Sequence, residues 1–180
     1  MVLDDGEGED HEQLTLKRSF LNSYLVLIHN NVLPVNDFAF ILRRWLSHQQ
    51  RFGDMIKSML EKLREENREL LGGLLLETLS QGLLELEQVD RTTEEWGALR
   101  DLARRLALSL GLEPARNREV LGRLHREGVA RAMGQGGKLE MVELLGEFTS
   151  RMVAEDRRVS PDLKLCVASL DLVSTTSFCV

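Results

Sequence analysis

The sequence predicts an all-α protein built from stacked antiparallel helix pairs. Three observations carry that reading. Leu, Glu and Arg are abundant while Pro occurs only 3 times, and those residues lose little side-chain freedom in a helix. Apolar residues recur at spacings of three and four through seven successive segments, the mark of one buried face per helix. Short turns separate the segments, and no strand pattern precedes residue 159. A single helical hairpin cannot bury its faces alone, whereas stacked pairs share a continuous core. A plain helical bundle is the competing arrangement.

The first helix is expected over 14–33, with Leu16, Phe20, Tyr24, Leu27 and Ile28 on its buried face, and Pro34 stops it. Asn36 is placed to cap the second helix, whose stripe is Phe38, Ile41, Leu42, Trp45 and Leu46. Gly53 is expected to break it. A third helix then starts near Asp54, with Met55, Ile56, Met59, Leu60 and Leu63 inward, and bends or ends in the polar run 64–68. The fourth covers roughly 69–88 and turns Leu70, Leu74, Leu75, Thr78, Leu79 and Leu83 to one side. Gly72, Gly73 and Gly82 weaken it by up to ~1 kcal/mol each.

Thr92 or Thr93 caps the fifth helix, 94–110, and Thr92 with Glu95 has capping-box spacing. Trp96, Leu99, Leu102, Ala103, Leu106 and Leu110 face inward, and Gly111 is the stop. The sixth runs from Arg116 to about Met133, and 134–137 is a loop. The seventh covers 138–154, with Leu139, Val142, Leu145, Phe148 and Met152 inward. Three domains follow: an acidic, disordered leader (1–13), a helical-repeat domain (14–158) and an irregular tail (159–180), expected to be disordered. HEAT-type repeats of ~40–47 residues fit the central domain about three and a half times.

The 180-residue chain is long enough for one domain with a real core. Its net charge is −6, so as a whole it does not attract nucleic acid. Asp4, Asp5, Glu7, Glu9, Asp10 and Glu12 account for that excess, since acids and bases balance elsewhere. Cys166 and Cys179 belong to no ligand-spaced or disulfide framework, so a reducing, intracellular setting is expected. No secretory leader is visible at the acidic start. The apolar run 73–76 is far shorter than a bilayer needs.

No catalytic or metal pattern emerges. His11, His29, His48 and His125 form no pair at metal-ligand spacing. The glycine run at 134–137 lacks the Lys-Ser/Thr ending of a phosphate loop and follows a helix. Carboxylate pairs such as Glu65–Glu66 and Glu94–Glu95 lie on polar faces. The reading is therefore non-enzymatic, with no cofactor, metal, small-molecule substrate or membrane partner.

A basic signal is present on the sixth helix. At ~100° per residue, Arg116, Arg123, Arg126 and Arg131 share one arc, opposite Val120, Leu121, Leu124, Gly128, Val129 and Ala132. Such a stripe suits DNA phosphates or an acidic peptide. Glu119 and Glu127 share the arc and partly neutralise it, so a solvated charged face is the simpler account.

Several segments, in order, resemble the C-terminal helical-repeat region of the stromal antigen (SA, or STAG) subunits of cohesin. They are the acidic run at 4–12 followed by Lys17-Arg18-Ser19-Phe20-Leu21, then Phe52-Gly53-Asp54-Met55-Ile56-Lys57 and Asp90-Arg91-Thr92. Leu102-Ala103-Arg104-Arg105-Leu106-Ala107-Leu108 with Gly111 is the nearest likeness. Arg118-Glu119-Val120, Leu124-His125-Arg126-Glu127-Gly128, Glu143-Leu144-Leu145-Gly146-Glu147-Phe148 and Asp156-Arg157-Arg158 complete it. The resemblance implies HEAT-like repeats and a nuclear, chromosomal protein in sister-chromatid cohesion and chromosome segregation. Its partner would be the cohesin core through the kleisin subunit, with DNA or chromatin as a further contact. The arginine content leans toward the family's meiotic branch.

The chain also departs from the family. It resembles a C-terminal piece of a longer protein that begins at an internal Met. Trp45-Leu46-Ser47-His48 thins an aromatic cluster, and 159–180 diverges. Two other functions remain open: a nucleic-acid-binding helical module using the arginine stripe, and a truncated product without cohesin function.

Overall fold

The computed structural model describes residues 11–86, 92–111, 115–134 and 137–152. These form α1 (His11–His29), α2 (Asn36–Arg43), α3 (Gln49–Glu66), α4 (Arg68–Glu85), α5 (Glu94–Gly111), α6 (Arg118–Met133) and α7 (Glu140–Thr149), with no strand among them. The leader through residue 10, the expected end of the fourth helix and the tail from 153 lie outside the described residues.

Helices two apart in sequence lie side by side. One row holds α2, α4 and α6; in the other, α1 packs on α3 and α5 on α7. The rows meet through α4, which also touches α3, α5 and α7, and through α6 against α7. This alternation is the double-layered stack expected of HEAT-like repeats and gives the chain its all-α, solenoid-like form.

The middle of the stack explains α4. Leu71, Leu74, Leu75, Leu76, Leu79 and Leu83 are all buried, so this helix is apolar around its circumference, as a helix covered on several sides must be. The expected single stripe therefore misses Leu71 and Leu76. It also includes Leu70, which is exposed at the first turn. Asn67 caps α4, its side chain accepting from Leu70 N–H at 3.1 Å. Thr93 does the same for Trp96 N–H in α5 at 3.3 Å. The inward set expected of α5 is buried throughout.

Several boundaries move from their expected places. Asn31 takes a left-handed φ of 57°, a conformation Asn tolerates, and the chain leaves α1 before Pro34 is reached. Val35, with no side-chain cap bond, precedes α2, and Asn36 is already helical. Gly53 lies inside α3; the break falls at residues 44–48. There Trp45 turns inward and is buried. A Cβ on Gly53 would stand 3.6 Å from the Trp45 indole nitrogen and 3.2 Å from Gln49 Cγ, so this glycine serves packing rather than a stop.

The face of α1 is also rotated. Leu25 and Ile28 are buried, with Leu21 and Tyr24 packed against the core. Leu16 and Phe20 are 71% and 75% exposed. The inward line is 14, 18, 21, 25 and 28, and Arg18 stands in it. Its guanidinium pairs with Asp54 of α3 and donates to the Arg51 carbonyl. At the far end, Leu139 is exposed instead of inward, while Val142, Leu145, Phe148 and Met152 are buried.

Candidate interaction surface

The α6 helix presents its apolar side to α4 and α7 and its arginines to the outer edge. Val120, Leu121, Leu124, Val129 and Ala132 are buried. Asn117, just before α6, is buried and donates from Nδ2 to the Leu110 carbonyl at 2.7 Å, tying the end of α5 to the start of α6. His125 is buried as well, its Nε2 hydrogen-bonded to Thr149 Oγ1 of α7. Its role is structural.

The four arginines of the stripe differ in their surroundings. Arg116 is exposed at the entry to α6, its carbonyl accepting a long 3.5 Å hydrogen bond from Arg68. Arg123 reaches to α4, where Nη1 lies 2.6 Å from Glu69 Oε1, and back along its own helix to Glu127 at 2.5 Å. Arg126 is exposed. Arg131 bonds both Glu77 and Ser80 of α4 at 3.1 Å. Arg123 and Arg131 thus lie along the α4–α6 seam, engaged by α4 carboxylates, while no contact among the described residues places Arg126 there.

These contacts set the local electrostatics. The hydrogen bonds that Arg123 donates to Glu127 and Glu69 raise its guanidinium above its ordinary value, so it stays charged. Burial pushes Glu77 upward, but hydrogen bonds from Arg131 and Gln81 outweigh it and hold the carboxyl below its usual value.

At the end of the seam, α4, α6 and the approach to α7 line an open recess of about 150 Å³. Leu83, Leu84, Ala132 and Met141 supply its apolar lining, and Arg131 and Lys138 its cations. Lys138 Nζ donates to the carbonyls of Leu83 and Leu86 at 2.6 and 2.7 Å. A cation is thereby fixed at the carbonyl end of α4, where the helix dipole favours it. Sequence reasoning missed Lys138; its place in the α7 approach gives no hint that it reaches back to α4. Gly137 makes the approach possible, since a Cβ there would fall 2.3 Å from the Arg131 carbonyl oxygen.

Other polar clusters are smaller. Arg100 and Arg104 of α5 meet Glu147 of α7 at 3.5 Å. Arg105 lies 5.3 Å from the Trp45 ring centroid. Among the described residues, no group of three or more His, Cys, Asp or Glu is placed to hold a metal ion, and no helix is long and apolar enough to cross a membrane.

A two-row helical stack with a charged seam and a shallow recess defines an α-helical repeat protein. Residues 71–172 match the STAG protein C-terminal domain, and the chain belongs to that family. The match takes in 159–172, part of the segment set apart above as a tail. Cohesin subunit SA-1 of Xenopus laevis is 30% identical over 172 residues, covering 86% of this chain and 14% of the relative. Cohesin subunit scc-3 of Caenorhabditis elegans is 29% identical over 167 residues, 86% and 15% of the two chains. Cohesin subunit SA-3 of Mus musculus is 32% identical over 168 residues, 84% and 14%. The chain is a cohesin SA-like protein that spans about one seventh of the length of these relatives.

Proposed function

We propose that this chain works as a non-enzymatic cohesin SA-like subunit that docks on the kleisin of the cohesin core and serves sister-chromatid cohesion in the nucleus. The single observation that carries the reading is the double-row stack, in a chain of the STAG family. Such a stack offers a rigid surface for an extended or helical partner segment. The α4–α6 seam is the proposed partner edge, with Arg116, Arg123 and Arg131 along it and Arg126 exposed on the same helix. The test is direct binding: the purified chain and purified kleisin are mixed and run through a sizing column. Co-elution supports docking; separate elution at tens of micromolar overturns it.

A chromatin contact through the same arginines is the second reading, and the exposed Arg116 and Arg126 favour it. Salt separates the two. Phosphate binding falls steeply as salt rises, whereas an apolar peptide contact does not. The engagement of Arg123 by Glu69 and of Arg131 by Glu77 favours the peptide, because a phosphate would have to displace carboxylates already held.

A further inference from the structure

We infer that the recess between α4, α6 and the approach to α7 is a docking pocket for an acidic peptide segment that inserts one large apolar side chain. The inference rests on the reading of this chain as a partner-docking subunit and names the site and the chemistry it takes.

The recess has the size of one anchor. The recess measures about 150 Å³, the volume of a cavity that holds a benzene-sized molecule. Its wall is mixed: Leu83, Leu84, Ala132 and Met141 are apolar, and Ser80, Arg131 and Lys138 are polar. Leu84, which lines the recess, is itself 71% exposed. Surface leucines are common singly; this one borders a cavity.

Charge selects the flanks of the anchor. Lys138 is held by two neutral carbonyls. Among the described residues, no carboxylate pairs with its positive charge at the recess. Arg131 shares its guanidinium between Glu77 and Ser80, and a partner carboxylate replacing the serine hydroxyl would turn a neutral acceptor into a charged one. A basic peptide would meet both cations. A nucleic-acid backbone would gain nothing from the apolar part of the wall.

The experiment titrates the full, isotope-labelled chain with three synthetic twelve-residue peptides, followed by amide NMR shifts. The first is acidic with one central phenylalanine, the second replaces the phenylalanine with alanine, and the third replaces the acids with lysines. The first should shift the amides of Ser80, Leu84 and Lys138. The second should bind at least about tenfold more weakly, the value expected for burying one large apolar side chain. The third should leave those amides in place. Leu84→Ser, at a position exposed enough to spare the fold, should weaken the first peptide about fivefold. Equal binding by all three, no binding by any, shifts confined to other surfaces, or indifference to Leu84→Ser would each overturn the pocket. Kleisin recovery unaffected by Leu84→Ser would remove the recess from the docking site and leave the docking function standing. Peptide binding in the recess with no kleisin recovery would do the reverse.

Discussion

Arg131 of α6 and Glu77 of α4 join their helices through a 3.1 Å ion pair, beside the recess that the two helices share. Hydrogen bonds from Arg131 and Gln81 overcome the effect of burial and lower the Glu77 carboxyl from its ordinary value of about 4.5. A carboxyl depressed in the folded state adds stability above its unfolded value and loses it as pH falls through the folded one. Thermal melts from pH 6 to pH 3 should show this contribution disappearing below about pH 4.5. With side chains 47% and 30% exposed, solvent screens the pair, and its worth should stay under about 1 kcal/mol. Arg131→Gln should remove most of that acid-dependent part; an unchanged profile would contradict the assignment.

The two faces of α1 should respond differently to truncation. Leu25→Ala removes a buried side chain and should cost about 2–4 kcal/mol in urea unfolding. Leu16→Ala, at a side chain 71% exposed, should stay within about 0.5 kcal/mol. Equal losses would mean that α1 presents the other face to the stack.

Glycines should divide by their surroundings. A Cβ on Gly128 would lie 2.7 and 2.9 Å from the two methyls of Leu145, itself fully buried. Gly128→Ala should therefore push α7 from α6 and cost about 1–3 kcal/mol. Gly73 has nothing within 4 Å of such a Cβ. Gly73→Ala, inside α4, should stabilise by up to about 1 kcal/mol through helix propensity. Chemical unfolding of the two variants checks the opposite signs.

The tie between α6 and α7 should depend on a hydroxyl. Thr149 meets the buried His125 ring and also donates to the Leu145 carbonyl at 3.1 Å. Thr149→Val keeps the shape and removes the hydroxyl from a buried imidazole, which should cost about 1–3 kcal/mol. A melting temperature unchanged from the parent would show that the hydroxyl is dispensable.

The order of helices and most of the core were readable from the sequence, because most helices other than α4 bury a single apolar stripe. In α5 Trp96, Leu99, Leu102, Ala103, Leu106 and Leu110 were legible while the buried Ala107 was missed, and the cap was narrowed to Thr92 or Thr93, of which Thr93 makes the bond. Two errors share a cause: a stripe rule assumes one buried face with no charge in it. Arg18 stands in the inward line of α1 and pairs across to Asp54, so the pattern pointed to the neutral line through Leu16 and Phe20 instead. In α4, covered on several sides, the rule found one face where burial runs all round. Gly53 looked like a stop because its helix-breaking tendency is local, whereas the close approach of Trp45 is tertiary. The arginine stripe was legible as a helix arc, but its partners Glu69 and Glu77 lie over 50 residues away in sequence, beyond any local pattern. The recess and the reach of Lys138 to α4 exist only after stacking.

The most direct test of the central claim is affinity purification of the tagged chain from dividing cells, with nuclease present to remove DNA bridging. Kleisin and the rest of the cohesin core should be recovered with it. A soluble, abundant chain that brings down no kleisin would contradict the claim and leave a member of the STAG family that keeps the helical stack without docking on cohesin.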